Sequence, residues 1–126
     1  MNRFRPRGLR GALISFGYAF RGIAVLLARQ PHARVHAAAA CATIFAGFLF
    51  GITRGEWIAI VLCIGLVFAS EALNSAVEEL ADALHPDAHP GIGRAKDLAA
   101  AGVLISAACA AIVGLVIFLP RLIQLD

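Results

Sequence analysis

SEALNSAVEELADALHPDAHPGIGRAKDL, residues 70–98, joins a charge-free apolar run to a cluster of acids. The thirteen residues before it, 57–69, carry no charge, and the stretch itself holds six of the chain's eight acids. Ionisable groups continuous with a membrane-grade apolar helix are expensive to keep, so they point to a functional site. Glu71, Asn74, Glu78 and Asp82 are spaced by three, four and four residues. At helical pitch they fall within roughly an 80° arc of one face. The plain alternative is a solvated helix end, but a solvated end has no need to align its acids. Pro86 and Pro90 are expected to stop this helix, because proline lacks the amide donor and clashes with the preceding turn. Arg94, Lys96 and Asp97 stand at the mouth of the next apolar run.

Composition places that stretch in a bilayer. Of 126 residues, 60% are hydrophobic, and the mean hydropathy is +0.82. A soluble domain is less apolar. The length suits one domain, residues 1–126, with no linker dividing it. The net charge is +3, and Arg3, Arg5, Arg7, Arg10, Arg21, Arg29 and Arg34 all precede the first apolar run. No polar domain stands behind this arm to hold a nucleic acid, so anionic lipid headgroups are its expected partner. Cys41, Cys63 and Cys109 are far apart in apolar runs and read as buried thiols, not zinc ligands.

The expected fold is an all-α membrane protein with one surface helix and three membrane helices. Residues 8–29 carry an apolar stripe (Leu9, Leu13, Phe16, Phe20, Ile23, Leu27) at alternating steps of four and three. Such a helix lies along the membrane surface. Membrane helices are expected at 35–52, 56–84 and 98–119, the last ended by Pro120. Alanine and glycine in the first and third let helices approach closely. Trp57 sits where an interfacial anchor belongs. Three spans put the N-terminus and the 85–97 loop on one side, with nine Lys and Arg against Arg54 and Arg121 on the other. The positive-inside rule makes the crowded side cytoplasmic. The acids therefore meet a compartment containing ATP and magnesium.

A carboxylate at that boundary can act as general base on a lipid hydroxyl. A second, two turns nearer the cytosol, can hold magnesium together with substrate phosphates. Lys96 can neutralise phosphate charge, completing the parts of a phosphoryl-transfer site. There is no P-loop or protein-kinase motif. From spacing alone, a transporter or channel subunit using Glu71 as an ion site fits almost as well.

E-A-L-N-S-A-V-E (71–78), H-P-x-x-x-R-A-K-D (89–97), S-F-x-Y-A-x-x-G-I (15–23) and A-R-V-H (33–36) resemble the small prokaryotic diacylglycerol kinase family, which includes the undecaprenol kinases. The resemblance implies a homotrimeric, three-span lipid kinase of the bacterial inner membrane that uses ATP and Mg2+. It puts Glu71 at the general-base position and Glu78 at a magnesium and ATP position, with Asn74 in support. Lys96, Asp97, Tyr18, Asp87 and His89 match nucleotide positions, and Ser15 and Ala100, with Glu71, positions lining the lipid site. Gln30 stands where many members carry a second acidic ligand to metal and ATP. Its amide oxygen brings no charge, so the metal would be held more weakly or through water. A-R-V-H, Y-A-x-x-G-I and K-D-L-A-A-A look more like the undecaprenol branch than the diacylglycerol branch. His32 and His36 read as interfacial histidines rather than site residues, and Glu79 as a solvated side chain pointing away.

Overall fold

The computed structural model describes residues 8–124, so Arg3, Arg5 and Arg7 of the basic arm lie outside the described residues. The chain forms four helices in order: α1 (Leu9–Arg29), α2 (Pro31–Phe50), α3 (Arg54–Leu84) and α4 (Pro90–Ile123). Each is long and apolar enough to cross a membrane, and the architecture is that of an all-helical, multi-pass membrane protein. α1 is the most one-sided of the four. Its stripe residues Leu13, Phe16 and Phe20 are 64, 63 and 69% exposed. The stripe therefore faces the surroundings rather than its own chain.

Local chemistry explains each break. Gln30 alone separates α1 from α2, in extended conformation, because the ring of Pro31 pushes the preceding residue out of the helical region. Pro31 is at the start of α2, where its missing N–H is no loss. Arg34 closes the corner by donating to the carbonyls of Leu27 and Ala28 at the end of α1. Those carbonyls have no helical partner. α2 ends at Gly51, whose φ of 58° is left-handed, and Ile52 N–H donates back to Gly47 O at 3.2 Å. This is a Schellman-type closure, which favours glycine. Thr53 then caps α3 through a reciprocal pair with Glu56: each side chain accepts the other's backbone N–H.

Two expected boundaries are corrected. Pro86 does end α3, at Leu84, but Pro90 begins α4 instead of extending the loop. Proline fits the first helical position, and His89 Nδ1 accepts the N–H of Gly91 at 3.0 Å, capping the new helix. The irregular loop is therefore residues 85–89, and Arg94, Lys96 and Asp97 ride on the first turns of α4. At the other end, α4 passes through Pro120 to Ile123. Proline removes one helical hydrogen bond there, and little more than a turn remains to be disturbed.

The buried apolar core is small and lies at the Thr53 end. Ile52, Ile60 and Ile117 form it, with Phe50, Trp57 and Phe118 packed around them. Trp57 is half-buried: its ring lies over Gly47, where an added Cβ would come within 2.7 Å of Cη2, and it meets Phe48 at 4.8 Å between ring centroids. It packs between α2 and α3. Cys41 and Cys109 are exposed rather than buried. In a bundle of so few helices most apolar positions face outward, and in lipid there is no penalty for that.

Candidate functional site

α3 and α4 make the most extensive helix pairing in the chain. Beside the acids their register is set by hydroxyls. Ser70 Oγ lies 2.7 Å from Ser106 Oγ, and Ser106 donates on to Gly102 O at 2.8 Å. Ser106 is among the few buried polar residues. The neighbour of Ser70, Glu71, is another, at 4% exposure. The carboxylate of Glu71 meets His36 of α2, with Oε1 3.2 Å from Nε2. The sequence alone reads His36 as interfacial. The criterion that singled out Glu71 applies to it too, since it is an ionisable group opening the apolar run of 37–40.

One turn toward the loop at 85–89, Asn74 Nδ2 lies 3.5 Å from Glu78 Oε1. This turns Asn74 Oδ1 away, buried and without a hydrogen-bond partner among the described residues. Ser75 Oγ is in the same condition. Buried polar atoms are nearly always paired, so two orphans on successive residues mark an unfinished polar surface. Asp82, a turn further, accepts from Lys96 Nζ at 2.6 Å. That carboxylate holds the Lys96 ammonium above its ordinary range, and Glu78 adds to the effect. Lys96, two residues before the expected span at 98, is thus a cation fixed at the foot of the acidic face.

The remaining predicted residues lie on α1, the α1–α2 corner, the 85–89 loop and α4. Tyr18 and Ser15 are on α1, both exposed, Ser15 donating to Gly11 O at 3.0 Å. Gln30 is half-buried at the α1–α2 corner. It lines an apolar groove of about 750 Å³ with Leu26, Phe68, Ala72, Ser75 and Glu79. Asp87 and His89 are in the exposed loop, the carbonyl of Asp87 lying 3.0 Å from His85 Nδ1. Asp97 and Ala100 are exposed on α4. Glu79 is exposed as expected and is paired with Arg29 at 3.3 Å.

No cluster of three His, Cys, Asp or Glu side chains able to hold a metal occurs among the described residues. Magnesium does not need one: it takes one or two carboxylates, keeps several waters and binds substrate phosphates. Glu78 supplies one carboxylate and Gln30, half-buried at the α1–α2 corner, an amide oxygen, both donors of the right hardness. The residues present fit that ion.

The comparisons agree with the residue pattern. The family described as prokaryotic diacylglycerol kinase matches residues 17–118. The chain is 43% identical over 108 residues to undecaprenol kinase of Bacillus subtilis, covering 86% of this chain and 88% of that protein. It is 34% identical over 114 residues to diacylglycerol kinase of Synechocystis, covering 90% and 65%. To diacylglycerol kinase of Haemophilus influenzae it is 33% identical over 103 residues, covering 82% and 87%. With two thirds of the motif-bearing chain and more aligned in each case, and a buried carboxylate at the motif's first position, the chain belongs to the prokaryotic diacylglycerol kinase family.

Proposed function

We propose that this chain transfers the γ-phosphoryl group of ATP to the hydroxyl of a membrane lipid alcohol, undecaprenol before diacylglycerol, at the cytoplasmic face of the bacterial inner membrane. The observation that carries the reading is Glu71, a carboxylate 4% exposed between apolar helices, with an acidic face continuing from it toward Lys96. A buried carboxylate with one partner is costly to keep for structure alone.

Glu71 is the general base. As the lipid oxygen forms its bond to the γ-phosphorus, the bond to the bridging oxygen breaks, ADP leaves, and the hydroxyl proton passes to Glu71. Glu78 and the amide oxygen of Gln30 would hold Mg2+, which when bound neutralises phosphate charge. Asn74 keeps the Glu78 carboxylate oriented. Lys96 and Asp97, with Tyr18, Asp87 and His89, frame the nucleotide. Ser15 and Ala100 flank the lipid headgroup. α1 lies on the membrane surface, its exposed stripe in the acyl boundary. The excess of arginine puts the acidic end in the cytoplasm. The chain's small core and outward-facing apolar surface suit assembly into a homotrimer, which cross-linking in detergent would reveal.

Undecaprenol is placed first because the relative that acts on it by name shares the higher identity. An ion-conducting subunit, the alternative left by spacing alone, leaves Lys96 and Asp97 without a task. The test is ATP-dependent labelling of undecaprenol and diacylglycerol, side by side in mixed micelles. Faster turnover of undecaprenol is expected. Labelling of neither lipid would remove the proposal, and preference for diacylglycerol would reverse the substrate order.

A further inference from the structure

We infer that His36 is the positioning residue for Glu71, holding one carboxylate oxygen so that the other is presented to the lipid hydroxyl. The inference rests on Glu71 being the base. His36 Nε2 is 3.2 Å from Glu71 Oε1, and the two side chains are 23% and 5% exposed. Among the described residues, His36 is the ion-pair partner of Glu71, and no other group pairs with it. The basic groups that might have replaced His36 are committed elsewhere. Arg34, two residues before it, is engaged with the carbonyls ending α1. Arg29 is paired with Glu79, and Lys96 with Asp82.

A carboxylate this deep needs a donor, since burying an unpaired charge is heavily disfavoured. Arginine would satisfy both oxygens through its fork. A single imidazole nitrogen satisfies one and leaves the other for proton transfer. The same histidine lines an apolar cleft of about 340 Å³ with Ala40, Thr43, Cys63, Val67 and Ala107. His36 therefore stands between that cleft and the base. It acts through Glu71 and touches no reacting atom.

The experiment compares His36→Met, which fills the space without a donor, with His36→Gln, which returns an N–H at similar reach. Wild-type turnover of undecaprenol or diacylglycerol is measured first, because its absence would defeat the lipid-kinase reading and not this one. Given turnover, His36→Met is expected to lower kcat roughly 10- to 100-fold, the worth of a close polar contact to a charged group. KM for ATP and lipid should stay within about threefold, and His36→Gln should recover most of kcat. The imidazole 15N resonance of His36 in the full chain should also move in Glu71→Gln, a readout that does not depend on either His36 variant folding. A His36→Met enzyme with wild-type kcat, a Gln variant no better than Met, or a 15N signal indifferent to Glu71 would each overturn the inference.

Discussion

At the Thr53 end of α3, Glu56 accepts from both terminal nitrogens of Arg121, at 3.0 and 2.8 Å, and also from the backbone of Thr53. Trp57 fills the space over Gly47, and the isoleucine cluster lies beneath. At the other end of the same helix, Glu71 has one histidine, while Asn74 Oδ1 and Ser75 Oγ have no hydrogen-bond partner among the described residues. Both ends bury or half-bury polar groups. The difference is completeness. Where acceptors and donors within the chain match, the polar groups hold the fold. Where they do not, the surface awaits something from outside the chain.

The contrast can be broken by substitution, and the largest effect belongs to the incomplete end. Glu71→Gln should reduce kcat on the lipid alcohol by roughly 10²–10⁴-fold, the usual worth of a general base. Its thermal unfolding midpoint should stay near wild type; full turnover would remove Glu71 from the chemistry. Glu78→Gln should raise the magnesium needed for half-maximal rate roughly 10–100-fold, at least what losing an outer-shell partner of a metal costs. An unchanged magnesium titration would place the ion elsewhere.

The complete end should respond in stability and not in catalysis. Gly47→Val puts a branched side chain where a Cβ alone would meet Trp57 at 2.7 Å. Overpacking of this kind costs about 1–3 kcal/mol. Thermal unfolding should report that loss, with kcat per folded molecule unchanged. Thr53→Ala removes the cap of α3 and should cost about 1 kcal/mol by the same measurement. If either variant lost turnover without losing stability, the division between the two ends would fail.

Much of this is legible in the sequence. The 3-4-4 spacing of Glu71, Asn74, Glu78 and Asp82 needs only helical pitch to become a face. The motif residues carried the family likeness. Other features were not legible, because they depend on partners distant in sequence. Whether Pro90 stops a helix or starts one depends on whether a cap precedes it, and His89 supplies that cap. What Trp57 packs against depends on Gly47, ten residues earlier and on another helix.

The sequence by itself determined the membrane class, the family and the row of acids, since hydropathy, charge and helical period are local properties of the chain. Only the tertiary structure brought His36 to Glu71, 3.2 Å apart yet on different helices, and left Asn74 Oδ1 without a donor among the described residues. Pairing between helices is settled by how their surfaces meet in space, and spacing along one strand of residues carries no record of it.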